Sequence, residues 1–134
     1  MTASATCLLG LIAWALLLTL VLLTVRTTAM LGGHAVNTFT QDGNELSALG
    51  QRATRAHGNA LEWLVLPVGI LLYALATGQS AVTDGLAMIF LGARIAQSIV
   101  HLASTSVPAV LARATFFSVQ IVVAILWTLK LLGG

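Results

Sequence analysis

Three stripes of polar side chains interrupt the apolar runs of this chain at helical spacing. Arg55, Asn59 and Glu62 recur four and three residues apart, which sets them on one helix face. Arg94, Gln97 and His101 recur at three and four, and Arg113, Phe117 and Gln120 at four and three. A charge near the centre of a bilayer costs roughly 2.5–3.5 kcal/mol on insertion scales, so each needs a partner or a task. Glu62 and Arg94 fall about ten residues inside their apolar runs, a depth of roughly 15 Å at the helical rise. A buried ion pair is the cheapest way to hold both charges. Such a pair would either fix helix register or help to bind a ligand. Arg113 sits shallower and has no obvious partner. Asp42 and Glu45 of a polar loop are candidates, and a ligand anion is another. Guanidinium binds carboxylate or phosphate through two parallel hydrogen bonds. Together the stripes suit a pocket open to the cytoplasm, whose natural ligand is a small anion carrying one positive group for Glu62.

Each residue also has a purely structural reading. Asn59 and Gln97 can hydrogen-bond between helices. Arg55 can snorkel to the interface or mark the cytoplasmic side. His101, near a helix end, suits an interfacial histidine, and Trp14, Trp63 and Trp127 suit lipid or packing positions. Arg113 is the hardest to explain this way. No metal is expected, because carboxylates are few and no His/Glu pair has ligand spacing within one helix. Cys7 is the only cysteine, which excludes an intrachain disulfide and a multi-cysteine metal site.

The elements that must position these stripes are membrane helices. Of the 134 residues, 58% are hydrophobic and 7% charged, against roughly 25% charged in a soluble domain. So few charges cannot cover a soluble surface, and lipid must be the solvent. The net charge of +2 comes without a basic cluster, so no nucleic-acid partner is expected. Spans are expected over about 7–31, 52–77, 81–103 and 108–132, each long enough for about 30 Å of hydrocarbon. A polar loop covers 32–50, with Ser47 or Asn44 as cap of the next helix. Pro67 lies inside the second helix, where a membrane helix tolerates it, and Pro108 suits a first turn. The first cation, Arg26, follows the first apolar run. That order is inverted relative to a secretory signal, so a retained helix is expected. The fold class is therefore an all-α, integral membrane four-helix bundle with up-down topology, in a single domain. Arg26, Arg52 and Arg55 flank the first loop, which puts that loop in the cytoplasm and both termini on the opposite side.

The segment Arg55-Ala56-His57-Gly58-Asn59-Ala60-Leu61-Glu62 resembles the RAHxNxxE motif of the MAPEG family, the membrane-associated proteins in eicosanoid and glutathione metabolism. Gly92 to His101 is similar to that family's third-helix arginine motif, and Pro108 to Phe117 to the start of its fourth helix. The resemblance covers nearly the whole chain. It implies a homotrimer with glutathione bound between neighbouring subunits near the cytoplasmic side. It also implies a lipophilic small-molecule substrate arriving from membrane lipid. Asn59 and Glu62 match glutathione contacts, with Glu62 suiting the ligand's amino group. Arg113 matches the arginine that holds the thiolate and is the expected catalytic residue. Arg55, Arg94, Gln97, His101, Phe117 and Arg26 complete the expected cosubstrate site. Some members carry an arginine at Gly58, a His and a Tyr at Gln97 and His101, and a Tyr at Phe117. The ligand would therefore meet fewer polar groups here. The small size and short first loop look like a bacterial member, and hence an inner-membrane protein. The resemblance implies a glutathione-dependent transferase or peroxidase acting on lipophilic electrophiles. A non-catalytic lipid-binding or scaffold member of the same family is the alternative. A small transporter is disfavoured, because no helix is broken at midplane.

Overall fold

A computed structural model describes residues 1–134. It contains four helices and no strand: α1 (Ala3–Leu31), α2 (Ala48–Ala76), α3 (Ser80–Ala103) and α4 (Val107–Gly133). Each is long and apolar enough to cross a membrane. In hydrocarbon every backbone polar group must be satisfied within the chain, and a continuous helix does this. Turns at 77–79 and 104–106 connect α2 to α3 and α3 to α4, so neighbours run antiparallel.

Local chemistry sets the helix ends. The Thr2 hydroxyl accepts from the Ala5 N–H at 3.1 Å, Ser47 from Gly50 at 3.2 Å and Ser106 from Ala109 at 3.4 Å. Side-chain oxygens thereby satisfy amides that the first turn leaves free. α1 and α2 thus start a turn ahead of the apolar stretches beginning near residues 7 and 52. α2 continues through Pro67, which is buried.

Two ties to α3 lock the bundle at opposite ends. At one end the Ser4 N–H donates to Asp84 Oδ1 at 2.8 Å, and the Ser4 hydroxyl donates to the same oxygen at 2.6 Å. A carboxylate there also complements the positive end of the α1 dipole. At the other end Arg52 Nε donates to the Leu102 carbonyl at 2.7 Å, where a cation meets the negative end of α3. Arg52, read from sequence only as a marker of orientation, is structural, and so is Asp84.

α1 packs on α2 and α3, and α4 packs on α3 and more lightly on α2; α1 and α4 do not touch. α2 and α3 therefore form the middle of the bundle. Its interior divides along the axis. Towards the termini lies an apolar core of Cys7, Leu8, Leu11, Leu71, Ala87, Phe90, Leu91, Val123, Ala124 and Trp127. Phe90 and Trp127 stack there with ring centroids 5.2 Å apart. Towards the first loop polar side chains are buried as well: Arg94, Gln97, Ser98, His101 and Gln120.

The loop closes this polar end. Gly43 has φ +68 and lies so near α2 that a Cβ would meet Thr54 Oγ1 at 2.5 Å. Only glycine combines that conformation with that approach. The Thr40 hydroxyl faces the carboxylates of Asp42 (2.7 Å) and Glu45, and the Thr40 N–H donates to Glu45 at 2.9 Å. The Thr40 hydroxyl, followed by a backbone N–H, holds each carboxylate below its usual range. Both are thus engaged locally, and neither serves Arg113 as counter-ion.

Candidate functional site

The polar half of the bundle opens between α2, α3 and α4 in a cavity of about 210 Å³ lined by Asn59, Gln97, His101, Val110, Arg113, Ala114 and Phe117. Asn59 of the α2 stripe thus meets residues of the α3 and α4 stripes here, each helix contributing to one wall. Trp63 stands edge-on to Phe117 with centroids 5.0 Å apart. No carboxylate lines the space. Its charge is that of Arg113, whose Nε is buried and makes no hydrogen bond within the chain. His101 is 8% exposed and lines the same space as Arg113. The walls are thus electropositive and rich in donors, which favours an anion or an acceptor-rich group.

Behind the cavity runs a chain of side-chain hydrogen bonds. Arg94 Nη1 and Gln97 Nε2 both donate to Asn59 Oδ1 at 3.2 Å. Gln120 Nε2 donates to Gln97 Oε1 at 2.8 Å and to the Phe116 carbonyl at 2.9 Å. Arg94 is 3% exposed and Gln120 fully buried. The sequence marks Gln120 as the last member of the α4 stripe but assigns it no task. Its signal is an amide seven residues on from Arg113, on the same face of an otherwise apolar helix.

The expected ion pair between Glu62 and Arg94 is not formed. Arg94 reaches Asn59 instead, one turn nearer the loop, and its Nη2 is buried without a partner. Glu62 is exposed on the outside of α2, as is Arg55. The direction in which each side chain leaves its helix decides the pairing, and Asn59 occupies the α3-facing side.

Arg26 lies on another side of the subunit. Its guanidinium stands 5.6 Å from the Phe39 ring centroid, a cation–π contact, and its Nε is buried without a partner. Its charge acts on His57 of α2, which meets Thr19 of α1 at 3.1 Å. Arg26 thus belongs to the α1–α2 face, and the cavity to the α2–α4 side. Of the expected site residues, Asn59, Gln97, His101, Arg113 and Phe117 share one cavity and Arg94 braces it from behind. Arg55 and Glu62 face outward, and Arg26 stands apart.

Beyond the Trp63–Phe117 pair, α2 and α4 part around two apolar spaces. One of about 250 Å³ is lined by residues including Trp63, Leu66 and Ile121, and one of about 330 Å³ by residues including Tyr73 and Leu132. Ile70 and Thr128 line both. No three His, Cys, Asp or Glu side chains gather as metal ligands would.

A family model described as the MAPEG family matches residues 4–133. No curated protein and no solved structure matches the chain.

Proposed function

The chain belongs to the MAPEG family, a family of membrane proteins of eicosanoid and glutathione metabolism. On that footing we propose that it is a glutathione-dependent transferase or peroxidase acting on lipophilic electrophiles. The observation that carries this reading is the carboxylate-free cavity holding the unpartnered Arg113 Nε. A free thiol has a pKa of about 8.5 and reacts as thiolate. A fixed guanidinium in a water-poor cavity lowers the energy of the thiolate far more than it would in water. Arg113 holds the sulfur, Asn59 and Gln97 orient the peptide, and the electrophile enters from lipid along the apolar spaces between α2 and α4.

The site is completed between subunits of a homotrimer. Two observations support this. Arg55 and Glu62 are exposed on α2, and Glu62 lies well inside the apolar run, where uncovered charge is costly. Arg26 and Arg113 lie on helices that do not touch within one subunit. A neighbouring copy covers the first pair, brings an α1 face to an α4 cavity, and leaves Glu62 to receive the ligand's amino group. The protein sits in a bacterial inner membrane with the polar loop in the cytoplasm and both termini outside.

The test is Arg113→Ala in purified, detergent-solubilised protein. Conjugation of a lipophilic electrophile falls about 10²-fold or more, and the ultraviolet thiolate absorbance seen on adding glutathione disappears, while helicity persists. Full activity in that variant would remove Arg113 from the role. One observation favours a second reading, a non-catalytic lipid-binding or scaffold member. Phe117 brings no hydroxyl to the cavity, and Tyr73, the only tyrosine, lines the apolar space away from it. Absence of heat and of any spectral change at millimolar glutathione would favour that reading.

A further inference from the structure

Asn59 is an amide whose two ends do different things, and the hydrogen-bond chain behind it decides which end meets the ligand. The chain has two fixed termini. The Phe116 carbonyl can only accept, so Gln120 must turn its NH₂ to it; that NH₂ also donates to Gln97 Oε1. Gln97 must then direct its own NH₂ at Asn59. At the other terminus Arg94 can only donate, and it donates to the same Asn59 oxygen. Both termini demand the same orientation, with Asn59 Oδ1 inward. The Asn59 NH₂ makes no hydrogen bond within the chain and is not sealed off, and Asn59 lines the cavity.

We infer that Gln120, acting through Gln97, is a positioning residue that presents the Asn59 NH₂ to the cavity as a donor, so that the ligand group seated there is a carbonyl or carboxylate oxygen. This rests on the reading of Asn59 as a ligand contact. It gives the ligand a direction, with acceptor groups towards Asn59 and Arg113 and its amino group elsewhere. Gln120 does not line the cavity.

The experiment separates the positioning from the identity of the ligand. The chain has three asparagines, Asn37, Asn44 and Asn59, so selective ¹⁵N-asparagine labelling gives three side-chain NH₂ pairs. The pair lost in Asn59→Asp belongs to Asn59. In ligand-free protein, Gln120→Leu shifts or splits that pair and leaves those of Asn37 and Asn44 in place; an unmoved Asn59 pair overturns the inference. Titration with glutathione then moves the Asn59 pair in the native protein; if it stays still while the positioning result holds, the ligand assignment fails and the device stands. Where glutathione binds, Gln120→Leu weakens it about three- to tenfold, the worth of one net hydrogen bond. The same change in an Asn59→Asp background has no further effect, because a carboxylate has no orientation to fix. An equal loss in both backgrounds would mean that Gln120 is merely structural.

Discussion

Arg94 offers a sharp test of the buried polar network. It is 3% exposed, spends Nη1 on Asn59 and leaves Nη2 buried without a partner. Arg94→Met keeps the length and apolar stem of the side chain. It removes one charge-assisted hydrogen bond, a loss of about 1.5–3 kcal/mol. It also removes a desolvation penalty of several kcal/mol per buried ion. The two nearly cancel, so the variant is expected to be between neutral and about 2 kcal/mol more stable. Asn59→Leu works in the opposite direction. It keeps the charge and deletes the oxygen on which Arg94 and Gln97 both rely, and should cost about 3–5 kcal/mol. Equilibrium unfolding in mixed detergent, followed by circular dichroism, measures both. The diagnostic result is their order: the charge-deleting variant is the more stable of the two. If Arg94→Met instead lost more than about 3 kcal/mol, the guanidinium would be held by more than Asn59, and the single-bond account would be refuted.

Two further predictions concern the loop. Gly43→Ala forces a side chain into the left-handed region, at about 1–2 kcal/mol, and drives its Cβ onto Thr54; the loop should open, read as faster proteolysis between α1 and α2 with the helices intact. The loop should also loosen in acid. Asp42 and Glu45 have folded pKa values below their unfolded ones. Their contribution is therefore complete above the unfolded value of about 4 and is lost as pH falls through the folded values. Proteolysis of the loop should be flat from pH 6 to 8 and rise below about pH 4, and Thr40→Ala should remove much of that dependence.

Much was legible in the sequence, for identifiable reasons. Apolar runs bounded by Gly32-Gly33, Ser47, Gly78 and Pro108 specify four membrane helices, because hydrocarbon leaves the backbone no other partner than itself. Helical spacing groups Arg94 with Gln97 and His101, and Arg113 with Phe117 and Gln120. These are properties of one helix at a time, and a linear pattern records them. What faces what between helices is not recorded in any one of them. Glu62 and Arg94 stand at matching places in their apolar runs, yet Asn59 takes the guanidinium because it leaves α2 towards α3 while Glu62 leaves it outward. Asp84 and Arg52 look like flanking charges until α3 brings each to a helix terminus. Gln120 looks like an isolated amide until Gln97 and the Phe116 carbonyl fix its direction. The sequence by itself thus determined the four helices and the polar spacing on three of them, since both follow from local period and solvent. The tertiary structure alone decided which residues meet around Arg113 and which way Asn59 points, because those depend on helix rotation and packing across contacts up to 38 residues apart in the chain.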